Sequence, residues 1–146
     1  MKTVWGIIEL FGGLEALQRK HLRIENRAYM PLVIEFIGEG PRGLPLISVA
    51  HTYIQEGDVM YDPEMTFEVD PQNPREWGPI TYRQDNLGIH QQAVWRTEQG
   101  QVMIAPRLAR DLKAFARTWN KNLREQGFIL AARSLLNAQF LARVAP

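Results

Sequence analysis

Three groups of residues have the types and spacing that chemistry needs. The segment from His51 to Asp70 reads HTYIQEGDVMYDPEMTFEVD and concentrates carboxylates at Asp58, Asp62, Glu64 and Glu68. Together with His51, the set Asp58, Asp62 and Glu64 is a candidate for a divalent cation, since Mg²⁺ needs only one or two protein carboxylates completed by phosphate and water. The alternative is a group of solvated strand-face and turn carboxylates. The second group is cationic: Arg110, Lys113, Arg117, Lys121 and Arg124 fall on one arc of a helix at 100° per residue. Such a stripe, about 20 Å long, matches the length over which a protein neutralises several phosphates or meets an acidic surface. Arg offers a planar fork for phosphate or carboxylate, and Lys a mobile point charge. The third group is Arg83, Gln84 and Asp85, followed by Asn86-Leu87-Gly88. Its amides and charges suit hydrogen bonding to a base edge or a backbone, and equally suit closing a turn.

Other chemistry is thin. Nuclease-type carboxylate sites place a Lys just beyond the second acid, whereas Met65-Thr66 follows Glu64 and Val69-Asp70 follows Glu68. A further pair is Glu35 with His51: if Ile47, Val49, His51 and Tyr53 share an apolar strand face, Glu35 of the neighbouring strand is expected to point the same way and take His51 or Tyr53 as its partner. A buried carboxylate needs such a partner. The pair reads as a satisfied core contact or as a general acid and base, and no nucleophile or phosphate-binding loop accompanies it. Phosphate-loop, dinucleotide and Gly-x-Ser-x-Gly signatures are absent. The chain has no cysteine, which removes thiol nucleophiles and Cys-type metal sites, and only three histidines.

Charge is distributed unevenly. Net charge is +1, but Met1 to Ala50 carries 6 basic and 5 acidic residues, His51 to Ile104 carries 3 and 9, and Ala105 to Pro146 carries 8 and 2. The middle is therefore −6 and the last part +6, a dipolar arrangement able to steer partners at near-zero total charge.

The elements that must position these groups follow from period and punctuation. At 146 residues, 45% hydrophobic and 23% charged, the chain suits a single domain with its own core. The expected class is α+β: an N-terminal helical segment over 1–21, an antiparallel sheet of about four to five strands over 22–104, and two helices over 105–146. Val4 to Lys20 reads as helix bent at Gly12-Gly13. Strands are expected at Leu32 to Ile37 and Leu46 to Ile54, joined by the Gly- and Pro-rich stretch Gly38 to Pro45. A half-buried strand carries Met65, Phe67 and Val69 on one face and carboxylates on the other. Further strands are expected at Ile80 to Gln84 and at Ile89 to Trp95, the latter turning near Gly100 into Gln101 to Ile104. Pro106 and Gly127 bracket a helix whose Leu108, Leu112, Phe115, Trp119 and Leu123 lie opposite the cations. A second helix, Phe128 to Val144, is apolar over most of its circumference and needs cover, from the core or from another copy of the chain.

The stretches YIQEGDVMYDPEMTFEVD, ITYRQDNLGI and FARTWNKNLREQGF resemble an uncharacterised domain family that recurs in proteins of bacterial plasmids, integrative conjugative elements and phages. The similarity spans Leu22 to Phe128. The resemblance implies a mobile-element context and an accessory role in element maintenance or in countering host defence, and it carries no activity or site residue. The expectation is a cytoplasmic, non-enzymatic protein that binds another macromolecule. A protein partner is favoured, because the −6 middle repels nucleic acid; nucleic acid through the basic helix and a homo-oligomer through the last helix are the alternatives. No cofactor and no membrane association are expected, a divalent cation in a hydrolase or nuclease-like enzyme being the alternative.

Overall fold

Connections of a few residues cannot carry a parallel crossover, and the chain folds as an antiparallel meander. The computed structural model describes residues 1–146, and its main sheet runs β1 (Leu22–Asn26), β2 (Tyr29–Glu39), β3 (Pro45–Gln55), β4 (Asp58–Val69), β5 (Trp77–Gln84) and β6 (Ile89–Gln92), in that order across the sheet. A separate hairpin pairs β7 (Val94–Arg96) with β8 (Val102–Ile104). Helices α1 (Lys2–Leu10) and α2 (Gly13–Arg19) precede the sheet, and α3 (Pro106–Glu125) and α4 (Phe128–Val144) follow it. The class is α+β as expected, with six strands plus a two-stranded hairpin in place of four to five.

The longer strand boundaries have a common cause. Proline gives no N–H to a ladder and is confined to irregular points of a strand. Here the β1–β2 register slips between Ile24 and Asn26, next to Pro31; the β3–β4 register slips between Ala50 and Thr52, opposite Pro63; and the β4–β5 register slips between Thr66 and Phe67, beside Pro79. The bulges absorb the prolines, so β2 and β4 extend through residues that punctuation marks as breaks. The expected strand from Ile89 to Trp95 divides instead at Ala93. That residue's N–H donates to Ile80 O at 2.7 Å, and its carbonyl accepts from the Ala105 N–H at 2.8 Å. The chain thereby leaves the sheet and enters the hairpin.

One face of the sheet meets the helices. Leu32, Ile34, Ile47, Val49, Met65, Phe67 and Val69 from the strands pack with Val4, Ile7 and Ile8 of α1, Leu112, Trp119 and Leu123 of α3, and Phe128 of α4. The opposite face carries a polar row in register: Glu35, Ser48, Thr66, Thr81 and Gln92 from β2 to β6. Thr66 and Thr81 share a 2.6 Å hydrogen bond on it, and the Ser48 hydroxyl donates to Glu64 at 2.7 Å.

Helix ends are tied into this frame. The first N–H groups of a helix lack intrahelical partners, and Thr3 of α1 donates its N–H to Asn120 Oδ1 of α3 at 2.8 Å. Asn26 Nδ2 donates to the Gln126 carbonyl at the end of α3 at 2.9 Å. Gly12 and Gly13, at φ 104° and 78°, separate α1 from α2, a left-handed turn that an L side chain resists. Pro106 stands in the first turn of α3, and Gly127, at φ 82°, lets the chain reverse directly into α4.

Candidate functional site

The α3 stripe forms as the period implies. Leu112, Ala116, Trp119 and Leu123 are buried against the sheet, and Arg110, Lys113, Arg117, Lys121 and Arg124 are all exposed. Phe115, expected in the core, is 37% exposed and rests edge-on against Tyr82, with ring centroids 5.3 Å apart. From Arg110 to Arg124 the stripe spans about 21 Å at 1.5 Å per residue. Its only ion pair joins Lys121 to Glu125 at 3.8 Å. Like charges four apart on a helix repel by about 0.2–0.5 kcal/mol per pair. Lys113, Arg117 and Lys121 make two such pairs, so the stripe lowers the stability of the helix that bears it.

The acidic segment is dispersed by the fold. Asp58 sits exposed at the β3–β4 turn, Asp62 lies close enough to His51 to influence its charge, and Glu64 accepts from Ser48 on the opposite face of the sheet. No three of Asp58, Asp62, Glu64 and His51 converge as ligands around one ion would. Glu68 is drawn away by Arg42, whose Nη1 lies 3.1 Å from Glu68 Oε1.

The Glu35–His51 pairing does not form. Leu32 stands opposite His51 and Glu35 opposite Ser48, so His51 points to the helices and Glu35, exposed, to the other side. The strand of His51 faces as expected, but in β2 the buried Leu32 and Ile34 turn inward, so the side that carries Val33, Glu35 and Ile37 faces away from the helices. His51, 8% exposed, packs between Trp119 and Phe128 at centroid distances of 5.6 and 5.5 Å. Its Nδ1–H donates to the Pro31 carbonyl at 3.1 Å, at the bulge that Pro31 itself helps to make.

Burial pushes the His51 imidazolium below its ordinary value of 6.5, against opposing contributions from backbone carbonyls and Asp62. A depressed folded-state value means that the unfolded chain binds more protons below pH 6.5. The stability this histidine contributes is present above pH 6.5 and is lost as pH falls through the folded value. The thermal midpoint is therefore expected to fall between pH 7.5 and pH 5.5, and His51→Gln, which keeps a donor for Pro31, to flatten that dependence. An equal slope in the variant would remove His51 as its source.

Arg83, Gln84 and Asp85 do come together, and each finds a partner within the chain. Arg83 grips Asp85 through Nε at 2.6 Å and Nη2 at 3.2 Å, and its guanidinium lies 4.6 Å from the centre of the Tyr61 ring. Asp85 also accepts the Tyr61 N–H at 2.9 Å, and Gln84 accepts from the Tyr82 hydroxyl at 2.7 Å. The Arg83 hydrogen bond holds the Asp85 carboxyl below its usual range. Gly88, at φ 62°, completes the turn. These groups close the β5–β6 connection and leave the α3 stripe as the least compensated polar surface among the sequence-derived candidates.

On α4, Leu130, Phe140, Leu141 and Val144 are exposed. None of the helices is long and apolar enough to cross a membrane. No curated protein and no solved structure matches the chain. Residues 2–129, which take in α1 to the first turn of α4, match a family described as a domain of unknown function, DUF6908. The chain belongs to that uncharacterised family.

Proposed function

We propose that the chain is a non-enzymatic accessory protein of a mobile genetic element that binds an acidic surface of another protein through α3, in the service of element maintenance or of countering host defence. The observation that carries this reading is the exposed stripe Arg110, Lys113, Arg117, Lys121 and Arg124, with a single ion pair along it. Repulsion between neighbouring cations makes the arrangement unfavourable for the isolated helix, and an acidic partner relieves that repulsion. The sequence resemblance to mobile-element proteins supports the setting. The charges of the middle segment support a protein over nucleic acid, since polyanion binding needs positive potential around the contact.

Arg117→Glu separates binding from folding. The substitution turns two repulsive four-apart pairs, with Lys113 and Lys121, into attractive ones, so helix stability is expected to rise by a few tenths of a kcal/mol. Capture of the partner from native cell extract, with nuclease present, is expected to weaken about ten-fold or more, equivalent to about 1.4 kcal/mol. The fourfold variant Arg110→Glu, Lys113→Glu, Arg117→Glu, Lys121→Glu is expected to abolish capture. Undiminished capture by the fourfold variant removes α3 from the interface, and capture lost on nuclease treatment assigns the stripe to nucleic acid.

A further inference from the structure

A cleft of about 410 Å³ lies where α1, α2, β1 and α4 meet, within the roughly 300–1,000 Å³ of small-molecule sites. Its floor is apolar: Ile8, Phe11, Leu17, Leu22 and Leu135. Its rim is basic, with Arg19, Lys20, Arg23 and Arg143, and no Asp or Glu lines it. Arg19 and Arg23 are engaged by the exposed carboxylates Glu15 and Glu25, at 3.1 and 2.7 Å. Exposed pairs of this kind contribute little and exchange readily. Lys20 and Arg143 have no carboxylate partner. A second cleft, of about 490 Å³, adjoins the first, since both are lined by Phe11, Gln139 and Arg143. It prolongs the apolar floor through Leu10 and Leu136 to the exposed Phe140.

We propose that this cleft binds one small amphipathic anion: an apolar chain or ring carrying a single carboxylate or phosphate. The floor takes the apolar body out of water, and the two unengaged cations, Lys20 and Arg143, hold the head. Arg143, at the junction of the two clefts, gives a planar fork suited to either oxyanion. A cation of the same shape meets only like charge at this rim, and a neutral alcohol leaves the rim charges as they were. None of these residues belongs to the α3 stripe, so the site stands or falls independently of the function proposed above.

Calorimetric titration with sodium dodecanoate, kept below its aggregation concentration, tests the site on the full chain. One molecule per chain is expected to bind, and dodecyl phosphate to compete with it. Lys20→Glu combined with Arg143→Glu, both at exposed positions, is expected to weaken binding about ten-fold or more with an unchanged melting temperature. Gln139→Trp, which fills the junction, is expected to block it; should that variant not fold, the double charge reversal carries the test. The fourfold α3 variant is expected to bind dodecanoate normally. Equal binding of dodecyltrimethylammonium, unchanged affinity in the double variant, or no binding at roughly 1 mM overturns the proposal. So does recruitment of the chain by phosphatidylglycerol vesicles, or by an acidic amphipathic peptide, when dodecanoate itself fails to bind.

Discussion

Replacing Phe128 by alanine is expected to destabilise the chain by about 3–5 kcal/mol, the range for a buried aromatic truncated in a packed core. Phe128 is fully buried at the start of α4. Its ring lies 5.5 Å from His51 of β3 and 6.2 Å from Tyr29 of β2, centroid to centroid, so one side chain joins the last helix to two strands. Its loss takes a large part of the 5–15 kcal/mol that a domain has in total. A fall in melting temperature of roughly 10 °C or more is expected. Phe140→Ala on the same helix is the control. With Phe140 63% exposed, its truncation is expected to change stability by no more than about 0.5 kcal/mol. A comparable loss in the two variants would mean that the outer face of α4, with Leu130, Leu141 and Val144, is covered in solution by a second copy of the chain. The melting temperature would then depend on protein concentration.

What could be read in the sequence was whatever local pattern determines. The basic stripe and its apolar counterface follow from a 3.6-residue period between Pro106 and Gly127, and both ends of α3 fall there. The alternation of Met65, Phe67 and Val69 with carboxylates gave the correct face of β4. The inward face of a strand that is apolar on both sides has no such local signal. His51 lies on the face expected of it, but β2 carries apolar residues on both faces, and Leu32 and Ile34 turn to the core in place of Val33 and Ile37, which leaves Glu35 on the opposite face of the sheet. Pro31, Pro63 and Pro79 read as strand breakers because the bulges that accommodate them exist only once a partner strand is present. The basic-rimmed cleft was invisible for the same reason. Lys20 and Arg143 lie near opposite ends of the chain, and only the packing of α4 against α1 and β1 brings them to one rim.

Glu68 is the other position where one substitution is expected to have a large effect. It is nearly fully buried, and its carboxylate gathers the β2–β3 turn by accepting the Arg42 N–H at 2.9 Å, Arg42 Nη1 at 3.1 Å and the Leu44 N–H at 3.3 Å. Removing one member of a buried charged pair costs about 3–5 kcal/mol. Arg42 keeps part of its guanidinium in water, so Glu68→Ala is expected at the lower end, about 3 kcal/mol. The consequence extends beyond the turn. The neighbouring Pro41 carbonyl accepts from Arg96 Nε at 2.9 Å and Nη2 at 2.6 Å, and Arg96 belongs to the hairpin that delivers the chain into α3. Gly40 supplies the cross-check. A Cβ there would collide with the Glu68 side chain, and its φ lies outside the left-handed region, so space and not backbone strain excludes a side chain. Gly40→Ala alone is therefore expected to destabilise by about 1–3 kcal/mol through overpacking. In the Glu68→Ala background the same change fills vacated space and is expected to be neutral or stabilising. A double-mutant cycle by denaturant unfolding measures the difference directly. Additive effects would show that Glu68 does not fill the hollow of the turn, and the link from β4 through Pro41 and Arg96 to the start of α3 would lose its first step.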